Sequence, residues 1–283
     1  YDSLVRYRRA GINRLSIGVQ SFQDEELKAI KRRPRQNTIY QALDDIRQMD
    51  FPYFNIDLIY GIKGQTVESF LYSLEEALRF QPNELFIYPL YVRQGTGITE
   101  REPDDVCFRM YRAACKLLQA KGFLQTSMRR FIHHPSTDAE VSCGDEVMLS
   151  CGSGGRSYLG DLHYATRYTV CQQCIAREID EYMATTDFTV ARNGFILSAK
   201  EQQQRFIIKN LMYYMGIDKA EYTRRFGEPL DRTPLFRQLA EQYWIEETPE
   251  RIRLTPEGLG YSDYIGQLFI TPEIRQLMET YSY

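Results

Sequence analysis

The sequence predicts an α/β chain built on a parallel sheet and followed by a mostly helical C-terminal domain. Three observations carry this. Three apolar segments rich in branched residues, at 12–20, 53–61 and 84–92, alternate with amphipathic stretches, the pattern of successive βα units. Each segment is almost continuously hydrophobic, as strands buried on both faces of a parallel sheet are. From residue 171 onward the periodicity turns helical, over 171–188, 199–217 and 218–227.

The elements follow in order. INRLSIGVQ (12–20) reads as a strand. QDEELKAIKR (23–32) reads as a helix, with the acidic start and basic end that a helix dipole favours. NTIYQALDDIRQM (37–49) sets Ile39, Ala42, Ile46 and Met49 at helical spacing, and YFNIDLIYG (53–61) is a second strand closed by Gly61. TVESFLYSLEEALRF (66–80) is an amphipathic helix whose start is marked by Thr66, Glu68 and Ser69. ELFIYPLYV (84–92) is the third strand, and 103–122 forms a helix stopped at Gly122. DEVMLSCGSGGRSYLGDLHY (145–164) reads as a glycine-rich loop that approaches something closely. Residues 233–245, 250–258 and 259–270 read helix, short strand, turn, helix, a winged-helix-like order. The predicted boundaries are a sheet-forming part at 1–135, a glycine-rich connecting segment and helix at 136–190, and the helical domain at 191–283.

Composition excludes several classes. The 283 residues carry 35 Lys+Arg against 38 Asp+Glu, a net charge of -3. Nucleic acid is therefore not the expected main partner, because no cationic excess exists to displace counterions. No apolar run approaches the ~18–20 residues that cross a bilayer, and the opening YDSLVRYRR has no apolar signal-peptide region. Six cysteines without a secretory signal point to reduced thiols and a cytoplasmic protein. The chain opens on Tyr1, and its sheet begins within a dozen residues. The expectation is a piece of a longer protein that has lost earlier strands.

Polar residues at the C-terminal ends of parallel strands are the candidate site, because ligands bind at that edge. Gln20 ends the first strand, Asp57 lies inside the second, and Arg32 ends the helix after the first. A buried carboxylate is costly without a partner. Together the three offer an amide, a carboxylate and a guanidinium, a set suited to ribose hydroxyls and an amino-acid carboxylate. Each has a plainer reading: a helix cap for Gln20, a solvated dipole partner for Arg32, a structural ion pair for Asp57. Cys143, Cys151, Cys171 and Cys174 offer four thiols for zinc or an iron–sulfur cluster. Against that, their spacing matches no ligand pattern, and Cys171 and Cys174 sit three apart on a helix. Cys107 and Cys115 lie on an apolar helix as packing residues, and His133 and His134 fall in a loop.

GINRLSIGVQSFQDEELKAIKRR (11–33) and NIDLIYGIKGQTVESFLYSLEEAL (55–78) resemble the oxygen-independent coproporphyrinogen III oxidase family of radical S-adenosylmethionine (SAM) enzymes. The likeness covers most of the chain, is strongest over 11–91 and recurs at GSGGRSYLGDLHY (152–164). RSYLGDLHYATRYTV (156–170) and DFTVARNGFILS (187–198) are similar to an uncharacterised subgroup of that family. The resemblance implies the C-terminal half of a partial (β/α)6 radical-SAM barrel, then a winged-helix-like domain. It implies SAM and a [4Fe-4S] cluster as cofactors, a tetrapyrrole or haem-like substrate, and an electron donor such as flavodoxin or ferredoxin. Gln20, Arg32 and Asp57, separated by 12 and 37 residues, fall on the family's SAM contacts, with Arg32 on the methionyl carboxylate. Tyr91 and Arg156 fall on two further cofactor-contact positions, where the family residues are small or apolar.

The implied reaction is formation of a 5′-deoxyadenosyl radical that abstracts hydrogen from the tetrapyrrole; the alternative is a haem carrier of the same fold. Arg129 and Arg130 then read as partners of substrate carboxylates or as a solvated strand end. His163 reads as a tetrapyrrole contact or an ordinary hydrogen-bonded residue. The sequence departs from the family in two places. It has no CxxxCxxC, which the expectation places upstream of Tyr1, leaving this chain inactive alone. Lys63 replaces the usual Pro in the GIKGQT turn.

Overall fold

The structure is a computed structural model and describes residues 1–33, 36–93, 95–133, 147–167, 169, 171–230 and 234–280. The chain divides into two compact units, Tyr1–Ala139 and Glu140–Tyr283.

The first unit opens with α1 (Asp2–Arg9), an element the sequence reading missed. β1 (Arg14–Gln20), α2 (Asp24–Ala29), α3 (Gln36–Gln48), β2 (Tyr53–Tyr60), α4 (Val67–Leu78), β3 (Glu84–Pro89) and α5 (Asp104–Ala120) follow in the predicted order, all but α3 shorter than predicted and α3 shifted by one residue. A capping box of Thr66 and Ser69 starts α4, satisfying backbone N–H groups the helix leaves open. β4 (Leu124–Gln125) and β5 (Arg130–Ile132) then double back. The sheet order is β1-β2-β3-β5-β4, parallel through β3 and antiparallel beyond it.

The strands are not apolar on both faces as expected. One face carries Ile17, Val19, Phe54, Ile56, Leu58, Leu85, Ile87 and Phe131, packed in one core with Leu43, Phe70, Leu74, Met110 and Ala114 of the helices. The register puts Arg14, Ser16, Gly18, Asn55, Asp57, Glu84, Phe86 and Arg130 on the opposite face. A strand alternates its side chains, so one strand serves a helix-packed face and a polar face together. Val19 is buried and Ile17 partly so.

In the second unit the glycine-rich segment is sheet rather than loop. β6 (Val147–Met148), β7 (Arg156–Leu159) and β8 (Leu162–Ala165) form an antiparallel meander. The two-residue Gly160–Asp161 turn joins β7 to β8, a tight-hairpin signature the sequence carries openly. α6 (Gln172–Ala184) follows, and β9 (Gly194–Ile196) adds to β8 as the fourth strand.

The remainder runs α7 (Ala199–Leu211), β10 (Ile217–Asp218), α8 (Lys219–Phe226), α9 (Pro234–Glu241), β11 (Ile245–Glu247) and β12 (Arg251–Leu254). Helix, strand, helix, helix, strand, strand is a winged-helix order, and the three strands pair as β10-β12-β11. β11 was missed because Ile245 is the only one of its three residues that is buried. α10 (Pro256–Gly260), α11 (Ser262–Leu268) and α12 (Pro272–Thr280) close the chain. Phe206, Leu211, Ile217, Phe236, Leu239, Ile252 and Ile265 form the core of this part.

Gly258 marks its tightest point. A Cβ there would stand 2.0 Å from the Trp244 carbonyl oxygen, a backbone atom that cannot swing aside. Gly258→Ala is expected to destabilise the chain by at least about 2 kcal/mol, read as a lower urea midpoint.

Candidate functional site

The site is built at the C-terminal ends of β1, β2 and β3. Leu27 and Ile30 of the α2 segment, Ile62 after β2 and Leu90 after β3 form a small apolar cluster there, with Ile59 and Ile98 packed against it. That cluster holds α2 over the strand ends.

A buried carboxylate fixes the same region. Glu26 accepts hydrogen bonds from Ser21 Oγ (2.6 Å), Gln65 Nε2 (2.8 Å) and Ser69 Oγ (2.5 Å). It therefore joins the end of β1, the GIKGQT turn and the first turn of α4. Ser73 Oγ adds to this by accepting from the Phe22 backbone N–H at 3.1 Å. The turn tolerates Lys63: Gln65 N–H donates to the Ile62 carbonyl (2.9 Å), and Gly64 N–H donates to Glu102 (2.7 Å). Neither Glu26 nor Gln65 was singled out from sequence. The usable signal was that Glu26 lies four residues before Ile30, on the face that α2 buries.

Gln20 is buried and adopts φ 73, where β1 ends in a register shift. A left-handed conformation in a residue other than glycine is strained and gathers at ligand sites. Its side chain folds back over Gly18, where a Cβ would meet Nε2 at 2.4 Å.

Asp57 pairs in register with Gly18 on the polar face. Asn55 Nδ2 donates to Asp57 Oδ1 (2.6 Å) and to Ser16 Oγ (2.5 Å), and Ser16 Oγ lies 3.5 Å from the carboxylate. Burial pushes the Asp57 carboxyl above its ordinary range, and the Asn55 and Ser16 hydrogen bonds pull partly the other way. Among the described residues no arginine pairs with it, so the structural ion-pair reading fails for Asp57. That reading belongs instead to Glu84, buried on the same face between Arg14 and Arg130, the latter at 2.8 Å. Arg130 is thus buried rather than a solvated strand end.

Gln20 ends β1 with its side chain over Gly18, whose register partner is Asp57, inside β2 and three residues before its end. Arg32 is exposed just beyond α2, its backbone N–H donating to the Leu27 carbonyl at 2.8 Å. Tyr91 lies past the end of β3, not within it, and is exposed. Its hydroxyl accepts from Arg129 Nη2 at 2.6 Å, and the guanidinium lies over the Tyr88 and Tyr91 rings. Arg156 opens β7 in the second unit, in a strand rather than the expected glycine-rich loop.

In that same sheet His163 stacks on Tyr158 at 4.2 Å, beside Phe195, and the Arg205 guanidinium lies over the Tyr158 ring at 4.4 Å. Burial, then Arg205 and Arg156, lowers the His163 pKa and favours its neutral form. Cys143 and His134 lie outside the described residues. Cys151 is exposed, Cys171 and Cys174 are in mutual contact, and among the described residues no three His, Cys, Asp or Glu side chains cluster as metal ligands. No described helix is long and apolar enough to cross a membrane.

Residues 2–77 match the family model of the radical SAM superfamily, and residues 197–260 match that of the HemN C-terminal domain. Over those two segments the chain resembles HemN-like radical SAM proteins. A "Heme chaperone HemW" of Bacillus subtilis is 26% identical over 94% of this chain and 73% of its own length. An "Oxygen-independent coproporphyrinogen III oxidase" of Thermostichus vulcanus is 26% identical over 91% of this chain and 85% of its own. The solved coproporphyrinogen III oxidase (HemN) of Escherichia coli matches with a TM-score of 0.76 at 22% identity, over 95% of this chain and 67% of that one. That last likeness shows the fold: the mixed sheet and following helices are those of a HemN-type radical SAM protein.

Two outcomes follow. Glu26→Ala removes the acceptor of three donors and is expected to cost about 2–4 kcal/mol, seen as a lower urea midpoint with an unchanged slope. For Asp57 the folded pKa is raised, so its stabilising contribution is full below the ordinary carboxylate range and is lost as pH rises through the folded value. Asp57→Asn should therefore gain in melting temperature relative to wild type on going from about pH 4 to about pH 8.

Proposed function

We propose that this HemN-like chain binds SAM at the C-terminal edge of β1–β3 and serves a cytoplasmic radical enzyme acting on a tetrapyrrole. The observation that carries the reading is strained Gln20 at the end of β1, its side chain folded over Gly18, the register partner of half-buried Asp57 on β2. These residues fit the cofactor. A ribose hydroxyl donating to Asp57 would offset the burial that raises its pKa. The Gln20 amide offers a donor and an acceptor nearby. The Arg32 guanidinium, exposed beyond α2, suits the methionyl carboxylate, which arginine takes bidentately. Tyr91 and Arg156 stand as the two further contacts of this reading.

When bound and reduced, SAM supplies a 5′-deoxyadenosyl radical. The residues of this chain bind and orient the cofactor. They do not fit the [4Fe-4S] cluster: the sequence has no CxxxCxxC, and the described residues offer no metal-ligand group. No step is therefore assigned to the cluster, nor to a flavodoxin- or ferredoxin-like donor.

A second reading is haem carriage. The Arg205–Tyr158–His163–Phe195 stack favours it, because a neutral imidazole beside flat rings suits a planar, iron-bearing ligand.

Calorimetric titration with SAM tests the first reading. Arg32→Ala and Asp57→Asn should each weaken binding at least ~10-fold. Gly18→Ala, which displaces the Gln20 side chain, should weaken it with little change in melting temperature. Dithionite-treated chain should release no 5′-deoxyadenosine. Absence of SAM binding by the wild-type chain would sink the reading. Stoichiometric haem binding lost in His163→Ala would favour the carrier.

A further inference from the structure

The thiols at the start of α6 are used by neither reading. Cys171 is the N-cap of this 13-residue helix and Cys174 lies in its first turn. Their sulfurs stand 3.3 Å apart, with Cys174 Sγ donating to Cys171 Sγ. Position on the helix distinguishes the two thiols and assigns Cys171, at the N-terminus, as the attacking one and Cys174 as the resolving one.

The backbone supports the same assignment. Cys174 N–H and Ile175 N–H both donate to the Cys171 carbonyl, at 2.9 and 3.1 Å, and no side chain caps the helix. Thr169 Oγ1 accepts from the Cys171 N–H at 3.1 Å and fixes the entry of the chain. A thiolate at Cys171 thus sits at the positive end of the helix dipole. The hydrogen bond to Cys171 is the largest cause that raises the Cys174 thiol pKa; Arg177 pulls it down and Glu178 adds to the rise. Glu178 is itself engaged by Arg167 and Arg177. The other described thiols differ. Cys107 and Cys115 sit in the first unit's core, where burial raises both, Cys115 to about 11. Cys151 is exposed.

We propose that Cys171 and Cys174 form a redox-active dithiol that exchanges with low-molecular-weight disulfides of the glutathione class, Cys171 attacking and Cys174 resolving. The Cys171 thiolate attacks one sulfur of the external disulfide. A mixed disulfide forms, and one thiolate leaves and takes a proton from solvent. Cys174 then attacks Cys171 Sγ, closing the internal bond, and its proton passes to the second leaving thiolate. Two protein thiols are oxidised, and one external disulfide is reduced to two thiols. The sulfurs need only side-chain rotation to close, because an i,i+3 pair on a helix already lies within disulfide reach.

The test treats the 283-residue chain with oxidised glutathione and maps each cysteine by mass spectrometry. The wild-type chain should lose two hydrogens between Cys171 and Cys174 and regain them with dithiothreitol. Cys174→Ser should stop with one glutathione on Cys171. Cys171→Ser should take up glutathione at Cys174 at least ~10-fold more slowly, because Cys174 lacks the thiolate environment. The proposal is overturned if wild type carries glutathione on both residues, or if Cys151 reacts while the pair does not. It is equally overturned if the two single variants react at the same rate.

Discussion

The arrangement depends on the Glu26 carboxylate. It is buried, and three side chains from three segments donate to it. A buried carboxylate is tolerable only when such donors satisfy it. Once satisfied, it locks the end of β1, the turn after β2 and the start of α4 to one another. The strained Gln20 follows directly from that lock. A left-handed residue at a strand end persists only where its surroundings over-determine it, and Ser21, the next residue, is one of the three donors.

The same logic separates the two faces of the sheet. The helix-packed face is a continuous apolar core and supplies the hydrophobic stabilisation. The other face holds two polar groupings with different roles. Arg14, Glu84 and Arg130 form an ion-pair cluster whose buried carboxylate is neutralised. Ser16, Asn55 and Asp57 form a carboxylate site that is not, since burial still raises Asp57. The first grouping belongs to the architecture. The second is a carboxylate whose folding cost a bound hydroxyl donor would offset, the stability–function tension expected at a binding site.

The likeness to HemN-type proteins extends over nearly the whole chain and both of its units. Relatives of similar identity carry two different names, an oxidase and a haem chaperone. The features that differ in role between those readings lie in different units. The strand-end site is in the first, and the stacked His163 sheet and the α6 thiols are in the second.

The sequence by itself determined the βα alternation, the helix starts and the candidate trio, because periodicity, capping residues and polar residues within apolar strands are local signals. It also carried the Gly160–Asp161 hairpin, passed over because neighbouring glycines read as a loop. What it could not decide was partnership across distance. That β3 pairs antiparallel with β5 rather than with another parallel strand is a tertiary matter. So is the choice of Glu84, not Asp57, as the carboxylate neutralised by arginines, and the role of Glu26 as the tie between three segments. Each of these joins residues about 39 to 70 apart in sequence, or five apart across a strand–helix junction. Such pairings are set by sheet register and by the need to satisfy buried polar groups, and neither exists until the chain has folded.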